Sequence, residues 1–327
     1  MATPMGSLRR LLLAPQLSEV SFERRGFASV ALDGPAARLE AVPQAVVCGF
    51  EWGMEARSLW ELESRLGLVD TEQRGFAYEG ATMAFTVRDV MGRGHRTRDL
   101  LRGPGRPHVL LAYIGIGFAM ARLPRVLWKK VLPDLDGTPY YPVMSWLAVD
   151  GYGFDLAYFH TRRWVDEQRV PDTYPWQGAP SYFPRAVDQG IGRALWFIHG
   201  ARPDRVDAAV RAFASHRQAD LWSGVGLAAT FAGGCGAEDF ASLRDRAGMH
   251  RGDLAQGAVF AARGRDLAGF VPEHTETATQ VLAGLPVSAA VTLADSEAPG
   301  DSTAVPAYEQ WRRAIRDRLT PHPTTRR

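Results

Sequence analysis

The sequence predicts an all-α protein built from tandem helix hairpins, and three observations support this. Short glycine-containing motifs return along the chain at intervals of 31–39 residues. The stretches between them carry apolar residues at helical spacing and end at glycine or proline. Hydrophobic residues make up 46% of the chain and charged residues 23%, as in folded proteins and unlike disordered, collagenous or coiled-coil chains. Self-similarity at this period is typical of helical repeats, which form a single α-solenoid-like or α/α array.

The repeated feature is a glycine inside an apolar helical stretch. The aligned glycines are Gly80, Gly117, Gly153, Gly192, Gly226 and Gly257. A glycine within a helix costs about 1 kcal/mol relative to alanine, so its recurrence requires a reason. Either a neighbouring helix or a ligand approaches the backbone closely. If the neighbour is a helix, Gly153 and Gly192 should face it at short distance, and leucine there should overpack the contact.

Residues that typically begin or end helices predict the helix bounds in the second half of the chain. The predicted helices cover residues 185–199, 203–213, 218–231, 238–247, 252–264 and 273–283. Pro203 and Asp204 open the second of these, and Gly200 ends the first. Residues 164–184 are dense in proline and aromatic side chains, which predicts an ordered loop or lid rather than a flexible linker.

The repeats divide the chain into four predicted regions. Residues 1–35 lack clear periodicity and are expected to wrap the first helices, and residues 36–293 form the helical repeat domain. A linker rich in Pro, Ser and Asp follows at 294–306. Residues 307–327 give an amphipathic helix over 307–319 and a disordered tail.

Composition excludes several classes of protein. The 38 basic and 36 acidic residues leave a net charge of +2, which does not favour nucleic-acid binding. Two cysteines, Cys48 and Cys235, are too few for a disulfide framework and favour a cytoplasmic location. The longest uncharged runs, 221–237 and 277–294, are rich in glycine or interrupted by glycine, proline and polar residues. We therefore expect no transmembrane segment, and no signal peptide at the N-terminus.

The candidate catalytic residues come from the repeat register, because no standard catalytic motif is present. His160 and His199 each lie seven residues after an aligned glycine, which places them about 8–10 Å apart on successive helices. Two such imidazoles can bind a metal or exchange protons, with Asp155 beside them. The plainer alternative is that both histidines cap helix C-termini. The sequence assigns neither a metal nor a cofactor, since Gly-x-Gly occurs here without the preceding strand of a dinucleotide site.

Polar and aromatic side chains near the motifs form a predicted substrate-binding set. Its members are Tyr158, Asp188, Gln189, Trp196, Asp220, Trp222, Gln256, His274 and Glu276. Buried carboxylates require partners and often mark a site, although carboxylates in a first helical turn are equally explained by the helix dipole. A cavity lined by these aromatic residues would suit a long unsaturated or isoprenoid molecule.

Five stretches resemble a known family: residues 149–160 (Val149-Asp-Gly-Tyr-Gly-Phe-Asp-Leu-Ala-Tyr-Phe-His160), 185–197, 217–227, 254–258 and 274–276. They are similar to a bacterial family of unknown function found in the gene clusters for enediyne natural products. The resemblance covers roughly residues 15 to 320. It implies a role in antibiotic biosynthesis, in the maturation of a polyketide-derived polyene into the enediyne core. It supplies no assigned catalytic residues.

The leading hypothesis is a secondary-metabolism protein that binds a hydrophobic polyene intermediate and helps convert it. The alternative is a non-catalytic helical-repeat adaptor that docks a carrier protein or another pathway enzyme. A cyclase-like enzyme is a third option, which the lack of a clustered Asp-Asp motif disfavours. An enclosed cavity with several of the polar candidates favours the enzyme, and an open groove favours the adaptor.

Overall fold

The structure is a computed structural model that describes residues 17–27, 35–92, 94–299 and 305–320. Every regular element in these ranges is a helix, and they contain no strand. The all-α prediction is therefore confirmed. Most of the predicted N-terminal wrap, part of the 294–306 linker and the tail after 320 lie outside the described residues.

Short helical turns at Leu17–Val20 and Phe22–Arg25 come before the longer helices. The first seven of these are α1 Pro35–Glu55, α2 Leu59–Leu66, α3 Thr71–Val90, α4 Arg96–Arg102, α5 Val109–Arg122, α6 Trp146–Phe159 and α7 Phe183–Ile198. They are followed by α8 Pro203–Ala212, α9 Ser215–Ala232, α10 Ala237–Ala247, α11 Arg251–Leu267, α12 Glu273–Ala283, α13 Val287–Ser296 and α14 Ala307–Leu319.

The predicted bounds agree well for some helices and less well for others. The predictions over 273–283 and 307–319 coincide with α12 and α14. Helix α9 begins three residues earlier than predicted, and Arg217 in its first turn forms a 2.6 Å ion pair with the buried Asp188. Helix α11 continues beyond Gly264, because that glycine lies against the Phe231 ring instead of ending the helix.

The repeated glycines lie where neighbouring helices touch. A Cβ added at Gly153 would lie 2.2 Å from the Val187 carbonyl oxygen, and one at Gly192 would lie 2.0 Å from that of Leu221. Real side chains do not tolerate such distances to backbone atoms. The prediction that these two glycines face a neighbouring helix is confirmed.

Each Gly-x-Gly motif inside α5, α6, α7 and α9 contacts two neighbouring helices. In α7 the first glycine, Gly190, faces α6, and the second, Gly192, faces α9. Residues two apart on a helix project about 200° from each other, so one motif contacts helices on opposite sides. The glycines that occupy the first position, and face the preceding helix of the series, are Gly80, Gly115, Gly151, Gly190, Gly224 and Gly257.

This pattern corrects the sequence alignment at both ends. Gly80 contacts Val46 of the preceding helix, and Gly257 contacts Ser223 of the preceding helix. Both are therefore equivalent to the first glycine of the motif, two residues from the position predicted for them. The corrected intervals run from 33 to 39 residues.

Helices α1, α3, α5, α6, α7, α9 and α11 pack successively in that order. Helix α3, near the start of this series, also contacts α9 and α11, near its end. Phe76 of α3 makes an edge contact with Phe231 of α9, with ring centroids 5.6 Å apart. Arg265 of α11 donates to the Glu72 carbonyl oxygen of α3 at 2.8 Å. The helices therefore surround a shared interior.

The aromatic segment before α7 is packed against the helices. Trp176 is buried, and Tyr174 contacts Trp128 with ring centroids 5.1 Å apart. Within the described ranges, no single helix has both the length and the apolar character of a membrane span. Helices α12 and α13, which meet at a 64° bend, satisfy those two criteria only when taken together.

Candidate functional site

A cavity that is partly open to solvent lies among α1, α3, α5, α6 and α7. Its volume is about 60 Å³, which exceeds the roughly 10–15 Å³ that one water requires but is less than the roughly 150 Å³ of a cavity that binds benzene. A larger molecule therefore enters only if the walls move apart or if part of the molecule remains outside. Most of the wall is apolar and aromatic, and four side chains add charge or hydrogen-bonding capacity. The apolar wall comprises Val20, Val42, Pro43, Val46, Val47, Phe76, Met83, Phe118, Phe154, Tyr158, Phe159 and Phe197. The polar members are Glu79, Arg122, Asp155 and Arg193.

The lining follows the glycine register. The residues three positions after the first glycine of α3, α5, α6 and α7 are Met83, Phe118, Phe154 and Arg193, and all four line the cavity. Tyr158 and Phe197 lie one helical turn further along α6 and α7 on the same face. The close helix contacts thus fix which side chains face the cavity.

Glu79 is the most unusual group of this wall. It precedes Gly80 in α3, its side chain is 2% exposed, and no described residue forms a hydrogen bond with it. Burial raises its pKa from the ordinary 4.5 to about 8, although the attraction of Arg193 opposes this shift. At neutral pH the group is therefore mainly a neutral carboxylic acid that can both donate and accept a hydrogen bond.

Arg193 of α7 lies near Glu79 and is only 6% exposed. Its Nη1 donates to Asp150 of α6, and its guanidinium carbon lies 5.0 Å from the Phe154 ring centroid. Burial raises the pKa of Asp150, and the contact with Arg193 opposes that shift. The Nε–H of Arg193 is buried, and no hydrogen-bond partner is found for it among the described residues.

A second ion pair lies on the same wall. Arg122 Nη1 of α5 donates to Asp155 Oδ1 of α6 at 2.6 Å, and the Arg122 guanidinium lies 5.0 Å from the Phe159 ring centroid. Burial raises the pKa of Asp155, and Arg122 opposes the shift. The catalytic candidate Asp155 thus lines the cavity, as one half of an ion pair.

The two candidate histidines lie elsewhere. His160 is exposed just after α6, and His199 is half-buried just after α7 with its Nε2 unpartnered. Burial lowers the pKa of His199. Each histidine comes two residues after a lining position, Tyr158 or Phe197, and such residues project about 200° away on a helix. Neither imidazole is part of the cavity wall.

Three members of the predicted substrate-binding set come together around Arg312 of α14. Arg312 is completely buried and donates to Asp220 at 2.8 Å and to Gln256 at 3.0 Å. Gln189 donates to the same Asp220 carboxylate at 3.1 Å. Glu309 of α14 also accepts from Arg312, at 2.7 Å. These residues hold the C-terminal helix against α7, α9 and α11 rather than lining the cavity.

The remaining members of the set have separate positions. Tyr158 lines the cavity, and its hydroxyl donates to the Val20 carbonyl oxygen at 2.7 Å. Asp188 forms the ion pair with Arg217 described above. Trp222 is buried in the core, and the buried Trp196 donates to the Gly233 carbonyl oxygen at 2.8 Å.

Two members of the predicted substrate-binding set, His274 and Glu276, belong to α12. His274 Nε2 lies 3.3 Å from the Phe231 carbonyl oxygen, and Glu276 accepts from the Val287 backbone N–H at 3.2 Å. Neither residue is part of the cavity wall. Nowhere in the described ranges do three or more His, Cys, Asp or Glu side chains form a group able to hold a metal ion.

Sequence analysis missed Glu79 and Arg193. Glu79 is the one charged residue between Gly75 and Val87, a stretch that is entirely buried. Arg193 is the one charged residue in the buried stretch from Gly190 to Ile198. A lone charge in the middle of such a helix is the signal that would have found both.

The ionisation of Glu79 makes stability depend on pH. Its folded-state pKa lies above its ordinary value, so the folded protein retains a proton that the unfolded chain releases. This contribution is complete below about pH 4.5 and is lost as the pH rises towards 8. Between these limits we expect wild-type stability to fall relative to Glu79→Gln, by up to about 1.4 kcal/mol per pH unit.

The measurement is urea unfolding of both proteins at a series of pH values. Glu238→Gln, at an exposed carboxylate of α10, serves as the control and should follow the wild type. Parallel curves for wild type and Glu79→Gln would mean that Glu79 is not buried as a neutral acid.

The chain belongs to a family described as protein of unknown function (DUF1702), whose family model matches residues 4–319. No curated protein and no solved structure matches the chain.

Proposed function

We propose that this protein binds an apolar, unsaturated small molecule at this cavity, whose walls move apart to admit it, and helps to convert it. One observation carries the proposal: the aromatic cavity contains Glu79, a buried acid with no hydrogen-bond partner in the part of the chain that the structure describes. Aromatic walls favour a flat conjugated chain through ring stacking and burial of apolar area. A neutral carboxyl group in such surroundings can exchange a proton with a bound molecule.

The biosynthetic setting is the narrower part of the proposal. Residues 149–160 and 185–197 carry the resemblance to the enediyne-cluster family. They also supply Phe154, Asp155, Tyr158, Arg193 and Phe197 to the cavity wall. The molecule proposed is accordingly a polyketide-derived polyene on the route to an enediyne core.

The test is uptake of a small conjugated probe. We expect wild-type protein to bind methyl deca-2,4-dienoate in isothermal titration calorimetry. Val47 lines the cavity and is buried, so Val47→Phe should fill the space and weaken binding at least about tenfold, or about 1.4 kcal/mol. Val126→Phe, at an exposed position, makes the same chemical change away from the cavity and should leave binding unchanged.

Two results would contradict the proposal. One is a wild-type protein that binds no probe, which is what the adaptor alternative predicts. The other is a folded Val47→Phe variant that binds as tightly as the wild type, because the probe would then be bound outside the cavity.

A further inference from the structure

Residues 17–27 border the cavity but do not belong to the series of packed helices. Val20, at the end of the turn Leu17–Val20, lines the cavity and is 2% exposed. The segment contains two helical turns of four residues each, and a single helical turn is not stable by itself. We call residues 17–27 the strap. Its position therefore depends on contacts with the longer helices.

The strap bridges α1 and α6, which do not follow each other in the helix series. On α1, Glu40 Oε1 accepts from the Phe22 N–H at 3.0 Å. On α6, the Tyr158 hydroxyl donates to the Val20 carbonyl oxygen at 2.7 Å, and Arg25 Nη2 donates to the Tyr158 carbonyl oxygen at 2.6 Å. Glu40 and Tyr158 thus hold the strap against the cavity.

The helices that form the other walls are joined backbone to backbone. In α3, a Cβ added at Gly80 would lie 1.8 Å from the Val46 carbonyl oxygen of α1. In α5, a Cβ added at Gly115 would lie 2.1 Å from the Glu79 carbonyl oxygen of α3. Separating these helices would disrupt close packing along their length, whereas detaching the strap breaks a few hydrogen bonds and exposes a short segment. The strap is therefore the wall that moves at least cost.

We propose that the strap is a gate, and that the molecule is admitted only while the strap is detached from Glu40 and Tyr158. The inference rests on the proposed function, because it describes how the cavity admits the molecule proposed there. The closed cavity of about 60 Å³ is smaller than one that holds benzene, so a ten-carbon chain does not fit it. The molecule therefore binds the open form, and the open fraction of the protein limits its apparent affinity.

Weakening the strap should tighten binding, although it removes a stabilising contact. Glu40 holds the strap but is not part of the cavity wall. Glu40→Ala removes the acceptor of the Phe22 N–H, and the loss of one hydrogen bond should raise the open fraction about threefold to tenfold. Titration calorimetry with methyl deca-2,4-dienoate should show an affinity that increases by the same factor.

Hydrogen exchange without the probe measures the open fraction independently. The backbone N–H groups of Arg25 and Phe27 donate to carbonyl oxygens of the strap itself, so they exchange once the detached strap loses its helical turn. Glu40→Ala should accelerate exchange at both positions by the factor by which the affinity increases.

Matched variants separate the strap contact from other effects of the substitution. Glu40→Gln retains a side-chain oxygen that accepts from the Phe22 N–H, and it should bind and exchange like the wild type. Glu63→Ala makes the same chemical change at an exposed position of α2 and should also leave both quantities unchanged. If Glu40→Ala fails to fold, Tyr158→Phe replaces it: this variant keeps the ring, loses the bond to Val20 and should raise both quantities.

The outcomes distinguish the gate from the proposed function. If Glu40→Ala exchanges faster in the strap but its affinity for the probe is unchanged or lower, the molecule does not enter past the strap, and the gate is wrong while the proposed function stands. Equal exchange in Glu40→Ala and the wild type would also overturn the gate, because Glu40 would not hold the strap. If neither protein binds the probe, the proposed function fails and the inference fails with it.

Discussion

Replacing Arg312 by methionine is expected to lower the free energy of unfolding by about 3–5 kcal/mol, since one partner of a buried ion-pair network is removed. Arg312 is completely buried and pairs with Asp220 and Glu309. Burial alone would raise the pKa of Glu309, but the attraction of Arg312 and other arginines lowers it to about 2. Without Arg312 both carboxylates lose their most buried cation.

Urea unfolding of the wild type and Arg312→Met measures this loss. Arg162→Met is the control, because Arg162 pairs with Glu167 at 3.0 Å in solvent and its side chain is 88% exposed. Exposed pairs contribute about 1 kcal/mol or less. A loss for Arg312→Met no larger than for this control would mean that α14 is not anchored through the buried network.

Replacing Gly190 by alanine is expected to destabilise the protein by about 1–3 kcal/mol through overpacking. In an ordinary helix interior the same change stabilises by about 1 kcal/mol, so the sign itself is diagnostic. A Cβ at this position would lie 1.8 Å from the Asp150 carbonyl oxygen and 2.6 Å from the Phe154 nitrogen. Both are backbone atoms of α6, so α6 and α7 must separate.

Calorimetric melting of Gly190→Ala gives the result directly. The control is Gly236→Ala before α10, where no atom lies within 4 Å of the added Cβ and φ is −95°. It should melt with the wild type. An unchanged or higher melting temperature for Gly190→Ala would show that the helices do not touch through the glycine motifs.

Local sequence patterns predicted much of the fold. Pro272 before α12 and Gly284 after it mark its ends, and the predicted bounds match. The glycine motifs identified the helices that touch. The register at Gly80 and Gly257 was wrong because each of those helices carries one glycine of the motif, and spacing alone does not tell which neighbour that glycine faces.

The candidate site was predicted less well, because it depends on how the helices close around the interior. Asp155 and Tyr158 were found, since they follow a glycine motif directly. Glu79 becomes a cavity group because α3 and α7 border the same cavity, which brings Glu79 and Arg193, more than one hundred positions apart, onto one wall. No local pattern contains that information.

The C-terminal helix illustrates the same limit. Its arginines give an amphipathic pattern that is normally solvated, and the sequence does not distinguish Arg312 from Arg313 or Arg316. The structure buries Arg312 against Asp220 and Gln256, while the side chain of Arg313 remains half-exposed. Part of the predicted substrate-binding set therefore lies together, around Arg312, a residue that the sequence analysis did not select.

A crystal structure of the protein with methyl deca-2,4-dienoate tests the central claim most directly. We predict the conjugated chain at the cavity, in contact with the Phe118 and Phe154 rings and next to the Glu79 carboxyl. A probe found only on the outer surface, with the cavity empty or filled by ordered water, would contradict the account.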